Sequence, residues 1–288
     1  MTVYEEIRYD VEDPVATITL SRPEVLNAWT DRMAAEVRHA VAAAEDDPRV
    51  VGIVITGAGR GFCAGADLSR LAAIGSGDRS LVSDAGLDGA LDADPGDPSF
   101  GDDLHLGTYT YLMSVPKPVI AAINGPVAGM GVPIALACDL RFMAEDAVLT
   151  TSFSQRGLVA EWGISWMLPR LAGTAVALDL LFSSRKVTGT EAAALRVVNA
   201  ALPADQVLAH AQQYVRDLAA TASPTSLAIM KRQVYQQLHA GLLGAEREAR
   251  QLMLASFGRP DFREGVQAYL QRRSPSFGRL PGSVPSEG

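Results

Sequence analysis

The chain reads as an α/β protein, and three observations carry that expectation. VVGIVITG, Val50 to Gly57, is an unbroken apolar run of strand length, as suits a strand covered on both faces. VATITLS, Val15 to Ser21, alternates as a half-buried strand does, and TDRMAAEVRHAVAAAEDDP between them carries apolar residues at helical spacing behind Thr30, a predicted N-cap. The alternation resumes after Pro118. PVIAAING leads through a glycine-rich turn into a helix expected through Ile134 and Ala137, followed by strand-like DLRFMAE and AVLTTS.

From Pro203 onward the pattern is almost wholly helical, with amphipathic runs over 203–221, 224–242, 244–257 and 260–272. This shift predicts a boundary near 200, separating residues 1–200 from a helical region, 201–275, and a flexible tail, 276–288. One segment fits neither pattern. Between Asp78 and Asp103 eight aspartates and one arginine are interleaved with Gly, Ser and Pro, which predicts a solvated loop rather than a cation site.

Composition removes several classes of function. At 288 residues and 48% hydrophobic the chain can bury a large core, while a net charge of -8 disfavours nucleic acid or an anionic membrane as the main partner. No apolar run reaches the ~18 residues of a membrane span. MTVYEEIRYD has neither the basic nor the apolar region of a secretory signal, so a cytoplasmic protein is expected. Two cysteines, Cys63 and Cys138, fit a reducing compartment, and the four histidines show no metal-ligand spacing, so no metal is expected.

Two glycine-rich turns carry the first hint of chemistry. GRGFCAGADL, Gly59 to Leu68, follows the buried strand, and its small side chains leave N–H groups near Gly65 and Ala66 free to face a ligand. NGPVAGMGVP, Asn124 to Pro133, repeats the strand, turn, helix order, with free N–H groups expected around Gly129 to Gly131. Neither matches a dinucleotide or P-loop pattern. Converging, the two would form an oxyanion hole, in which one donor contributes roughly 3 kcal/mol to a transition state.

These turns, together with LSRPEVLNAW, KPVIAAINGPVAGMGVPIALACDLRF, GLVAEWGISWMLPRLAG and DFREGVQAYLQRRSPSF, resemble the crotonase or enoyl-CoA hydratase/isomerase family in order and spacing from about Thr2 to Phe277. The resemblance implies a crotonase-like spiral of ββα units with a C-terminal helical trimerisation region, assembled as a homotrimer or a dimer of trimers. It implies an acyl-CoA thioester as substrate, with coenzyme A part of that substrate and no further cofactor. The oxyanion donors would be the N–H groups of Ala66 and Met130. Arg22, Ala64, Ala66, Asp67 and Leu68 would approach coenzyme A, and Trp29, Pro133, Phe153, Leu158 and Trp162 would line the acyl pocket.

The sequence departs from the family's hydratases at two places. Where they carry a pair of glutamates, this chain has Pro133 and Phe153, neither of which moves a proton. A single acid, Glu161, stands in the acyl-facing stretch GLVAEWGISW, as in family members that isomerise 3-enoyl thioesters. One carboxylate suffices for that reaction, and neighbouring Trp162, Trp166, Leu158 and Val159 would raise its pKa by desolvation. A plain alternative makes Glu161 an acid at the start of a helix beginning near Trp162. Three further readings stay open: an enoyl-CoA hydratase, an aryl-CoA dehalogenase, and a non-catalytic acyl-CoA binding protein.

Overall fold

The branched residues of IRYDVE and VATITL form an antiparallel pair, β1 (Ile7–Glu12) and β2 (Val15–Leu20), with Ile7 opposite Leu20 and Glu12 opposite Val15. The computed structural model of the chain describes residues 3–67, 72, 76 and 109–280. Leu68, the aspartate-rich segment 78–103 and the end of the tail lie outside the described residues.

After β2 the chain crosses through α1 (Asp31–Asp46) and returns as β3 (Gly52–Gly57), parallel to β2 with Ile18 opposite Ile55. Thr30 caps α1 as expected, its hydroxyl accepting the Met33 N–H at 3.0 Å. β3 and β4 (Val119–Ile123) are the continuous apolar runs of the sequence, and both are buried along nearly their whole length. The main sheet continues through β6 (Leu140–Ala144) to β9 (Ala200–Leu202), all parallel from β2 onward.

A second, three-stranded sheet holds β5 (Val127–Ala128), β7 (Val148–Thr150) and β8 (Val187–Thr188). Each turn of the chain thus adds one strand to each sheet, β4 then β5, β6 then β7. This is the ββα spiral. Helices α2 (Gly131–Ala137), α3 (Ile164–Ala172), α4 (Thr174–Ser183) and α5 (Gly189–Ala194) fill the intervals between strands.

β9 pairs with β6, and α6 (Val207–Thr221) packs across the main sheet, where a Cβ on Gly52 would meet the Val215 methyls at 2.9 Å and the Phe142 and His210 rings lie 4.6 Å apart. Both therefore belong with the sheet, and the helices that stand away from it begin at α7 (Pro224–Gln237), followed by α8 (Leu242–Phe257) and α9 (Pro260–Gln271). α6 is helical in sequence and a core element in packing. Among the described residues no helix is long and apolar enough to cross a membrane.

α7 is held to the core by a partly buried ion pair. The Lys231 ammonium lies 2.7 Å from Asp139 and donates to the Leu112 carbonyl at 2.8 Å, while the Tyr235 hydroxyl donates to the other Asp139 oxygen at 2.9 Å. Burial pushes the lysine pKa down, and Asp139 opposes that shift.

Asn27 stitches the loop after β2 to the turn after β3. Buried and in the left-handed region at φ 57°, it accepts the Arg22 N–H at 2.9 Å and donates to the carbonyls of Ala58 and Gly61 at 3.0 and 2.8 Å. Asn27→Ala should cost about 3 kcal/mol of unfolding free energy, since it strands buried backbone groups and places alanine at positive φ. Urea denaturation measures it; a change under about 0.5 kcal/mol, the scale of an ordinary surface substitution, would show the stitch to be dispensable.

Candidate active site

The two glycine-rich turns meet. A Cβ on Gly131 would sit 2.6 Å from the Cys63 carbonyl oxygen, and one on Gly65, whose φ is 107°, would sit 3.1 Å from that of Ala128. Only glycine allows this approach. A backbone bridge from Cys63 to Val127 joins the turns further back, with the Ala128 N–H donating to the Cys63 carbonyl at 3.0 Å.

On the other side of the first turn, Trp29 bridges Ala66 in the parallel sense. The Trp29 N–H donates to the Gly65 carbonyl at 2.8 Å and its carbonyl accepts the Asp67 N–H at 3.2 Å, so the intervening Ala66 turns its own N–H away from Trp29. In the second turn, Gly129 donates to the Thr150 carbonyl at 3.2 Å, and Met130 stands at the start of α2, where N–H groups lack a helical partner. Among the described residues the N–H groups of Ala66 and Met130 donate no hydrogen bond. Two donors on touching turns can receive one anionic oxygen.

Arg22 clamps the Ala66 strand. Its guanidinium lies 3.0 Å from Asp67 and 3.5 Å from Glu6, and donates to the Ala28 carbonyl at 2.7 Å. Glu6 also accepts the Thr30 hydroxyl, so this corner joins β1, α1 and the first turn. Ala64 is exposed beside it. Two of the residues expected near coenzyme A, Arg22 and Asp67, are thus partners of each other.

Glu161 lies in the turn that precedes α3. The Ile164 N–H donates to the Glu161 carbonyl at 3.1 Å, closing a turn whose central residues, Trp162 and Gly163, have φ of 56° and 79°. Positive φ at both is the type I′ pattern, and it keeps Trp162 out of the helix expected to start there. The helix begins at Ile164 with Gly163 as N-cap and no side-chain cap, so the Glu161 carboxylate does not cap it. It accepts the Trp162 indole N–H at 3.2 Å instead. Half-buried, it has its pKa raised by desolvation, and the indole hydrogen bond opposes part of that rise.

A file of rings connects Glu161 to the first turn. Trp162 packs edge-on against Tyr109 with centroids 5.4 Å apart, and Tyr109 packs edge-on against Trp29 at 5.6 Å. Tyr109 carries no sequence signal; only the fold puts it between two tryptophans. Pro133 is buried in the first turn of α2, three residues after Met130. Phe153, also buried, follows β7, whose Thr150 carbonyl holds Gly129. The two places that a hydratase fills with glutamate are therefore apolar here, Pro133 at the end of the second turn and Phe153 three residues beyond the Thr150 that holds it. Leu158 is exposed at the mouth of the Glu161 turn.

Cys63 is fully buried beneath the turns, and burial pushes its thiol up to about 12, the value also reached by buried Cys138. A thiol so disfavoured as thiolate is packing, not a nucleophile. Among the described residues no three His, Cys, Asp or Glu side chains are grouped to hold a metal.

The turn before α3 makes a direct prediction. A Cβ at Gly163 meets only Thr110 and Met167 methyl carbons at 3.5 and 3.7 Å, ordinary contacts, so the cost of Gly163→Ala is that of its positive φ alone. That cost is about 1–2 kcal/mol. Chemical denaturation should return it, and no loss would mean the turn relaxes out of the left-handed pair.

Known proteins share this arrangement. The model of the family described as enoyl-CoA hydratase/isomerase matches residues 10–93 and 100–279. A probable enoyl-CoA hydratase of Rhodobacter capsulatus is 34% identical over 278 residues, covering 95% of this chain and 98% of the relative. The 1,2-epoxyphenylacetyl-CoA isomerase of Escherichia coli is 34% identical over 283 residues, with the same coverage, 95% and 98%. Among solved structures, an enoyl-CoA hydratase from Polaromonas sp. JS666 superposes with a TM-score of 0.83 at 30% identity, over 94% of this chain and 99% of that one. With the ββα spiral, the paired glycine turns and a match along nearly its whole length, the chain belongs to the enoyl-CoA hydratase/isomerase, or crotonase, family of acyl-CoA enzymes.

Proposed function

We propose that the protein isomerises a 3-enoyl-CoA to the 2-enoyl-CoA, with Glu161 as the single base. The observation that carries this reading is Glu161, among the described residues the one half-buried carboxylate of raised pKa, tied through Trp162 and Tyr109 to the Trp29 that borders the first turn, while Pro133 and Phe153 leave the usual hydratase positions without a titratable group. The N–H groups of Ala66 and Met130 receive the thioester oxygen. Glu161 takes the C2 proton, the oxygen carries the dienolate charge, and the same acid returns the proton to C4. Only a proton moves, so the step needs no metal or redox cofactor.

Coenzyme A is placed along Ala64, Ala66, Asp67 and Leu68, with Arg22 beside its phosphates. Because Asp67 and Glu6 already flank Arg22, its positive charge is largely met within the protein, and backbone donors carry more of that contact. Trp162 and Leu158 form the acyl wall, backed by buried Trp29, Pro133 and Phe153. The relatives' names support both isomerising and hydrating chemistry, one being a 1,2-epoxyphenylacetyl-CoA isomerase and another a probable hydratase.

Assembly as a homotrimer, or a dimer of trimers, belongs to the same proposal. Support comes from α8, which buries no residue within the chain, and from Leu242, Leu243, Tyr269 and Leu270, each at least 60% exposed. A cytoplasmic site of action fits the two free, buried thiols.

Turnover of a 3-enoyl-CoA and of a 2-enoyl-CoA in deuterated water, with products read by mass spectrometry, tests the reaction. Conversion of the 3-enoyl thioester should fall by roughly 10²–10⁴ in Glu161→Gln. Efficient 3-hydroxyacyl-CoA formation from the 2-enoyl thioester would instead make the enzyme a hydratase. The pH profile gives a second readout. The base works ionised, so activity is lost as pH falls through its pKa, and that limb should lie above the ordinary glutamate value of about 4.3. A limb at or below that value would contradict the desolvated setting of Glu161.

A further inference from the structure

We propose that Tyr109 is a positioning residue for Glu161, holding the base in register with the oxyanion turn through the ring file Trp29–Tyr109–Trp162. The inference rests on the reading of Glu161 as base and Ala66 as oxygen-binding donor, and adds what keeps the two in place relative to each other.

Glu161 and Ala66 lie on separate loops, 95 residues apart by number, yet one transition state needs both. The connection runs through side chains. Trp29 is fixed to the first turn by two backbone hydrogen bonds that flank Ala66. Trp162 is fixed to the base by its indole N–H on the Glu161 carboxylate at 3.2 Å. Tyr109 stands between them, its ring edge-on to both, at 5.6 Å from Trp29 and 5.4 Å from Trp162. Trp29 and Tyr109 are 3% and 4% exposed, so both hold the arrangement from behind rather than offer a surface to substrate.

Tyr109 is itself anchored. It opens a short 3-10 helix, Thr110–Met113, whose Leu112 carbonyl accepts the Lys231 ammonium of the ion pair with Asp139. Thr110 also packs beside Gly163, the second central residue of the Glu161 turn. At the other end Trp162 adopts φ 56°, a conformation a bulky residue takes only when its surroundings impose it. The edge-on contact with Tyr109 braces the indole that donates to the carboxylate in that conformation.

The test is exchange of the C2 hydrogens of a saturated acyl-CoA, butanoyl-CoA, for solvent deuterium. Glu161 removes a C2 proton, the proton exchanges with deuterated solvent, and a deuteron returns to C2; no later step and no choice between isomerase and hydratase enters. The wild type should exchange and Glu161→Gln should not. Tyr109→Leu should slow exchange by about 10- to 100-fold at saturating thioester, with little change in its KM, as misplacement of a catalytic group does. It should also move the acid limb of the rate profile to higher pH, because a displaced Trp162 no longer donates to the carboxylate. Tyr109→Phe, which keeps the ring, should restore both. Where Tyr109→Leu does not fold, Trp29→Phe, which shortens one ring contact, should shift rate and limb in the same direction by less. A folded Tyr109→Leu or Trp29→Phe with the wild-type rate and limb would overturn the proposal, as would a Tyr109→Phe as slow as Tyr109→Leu. Absence of exchange in the wild type would overturn the reading of Glu161 as base, and this inference with it.

Discussion

The close contact between the two glycine turns is the constraint on which the rest of the site depends. Gly131 lies against the Cys63 carbonyl and Gly65 against that of Ala128, at separations that leave no room for a Cβ without displacement of backbone. Neither turn is unusual alone, since a strand followed by glycines and a helix is a common connection. Their apposition is what brings an N–H from the end of a bridge, Ala66, beside one from a helix start, Met130. The strand layout enforces it, because the main sheet delivers β3 and β4 side by side and parallel, so that both turns leave the same edge.

The distribution of charge around these turns follows from burial. Arg22 is flanked by Asp67 and Glu6, Lys231 is paired with Asp139, and the two thiols are too deeply buried to ionise in the ordinary range. Glu161 differs from these groups: its carboxylate accepts a neutral indole N–H, and desolvation raises its pKa. A carboxylate stabilised by a cation would be a poor base, whereas one that is half-buried against rings is a stronger one.

The strands and helices are legible in the chain where one physical factor dominates. β3 and β4 are apolar along their length because helices and neighbouring strands cover both faces, and α1 announces its start with Thr30. They are not legible where a residue's neighbours decide. α6 has the periodicity of any amphipathic helix, and nothing in VLAHAQQYVRDLAAT says that its apolar stripe rests on the sheet beside Gly52 rather than on α7. The start of α3 was misplaced by two residues because Trp162 occupies a left-handed position that its own side chain disfavours.

The sequence by itself determined the family, the two turns and the one acid, because glycine spacing and the substitution of proline and phenylalanine for acids are properties of composition along a line. Only the tertiary structure decided that the turns touch, that Arg22 and Asp67 are partners of each other, and that Tyr109 links Trp29 to Trp162. Those facts depend on distances between residues tens of positions apart, which are set by sheet order and by the packing of rings, and no local pattern encodes them.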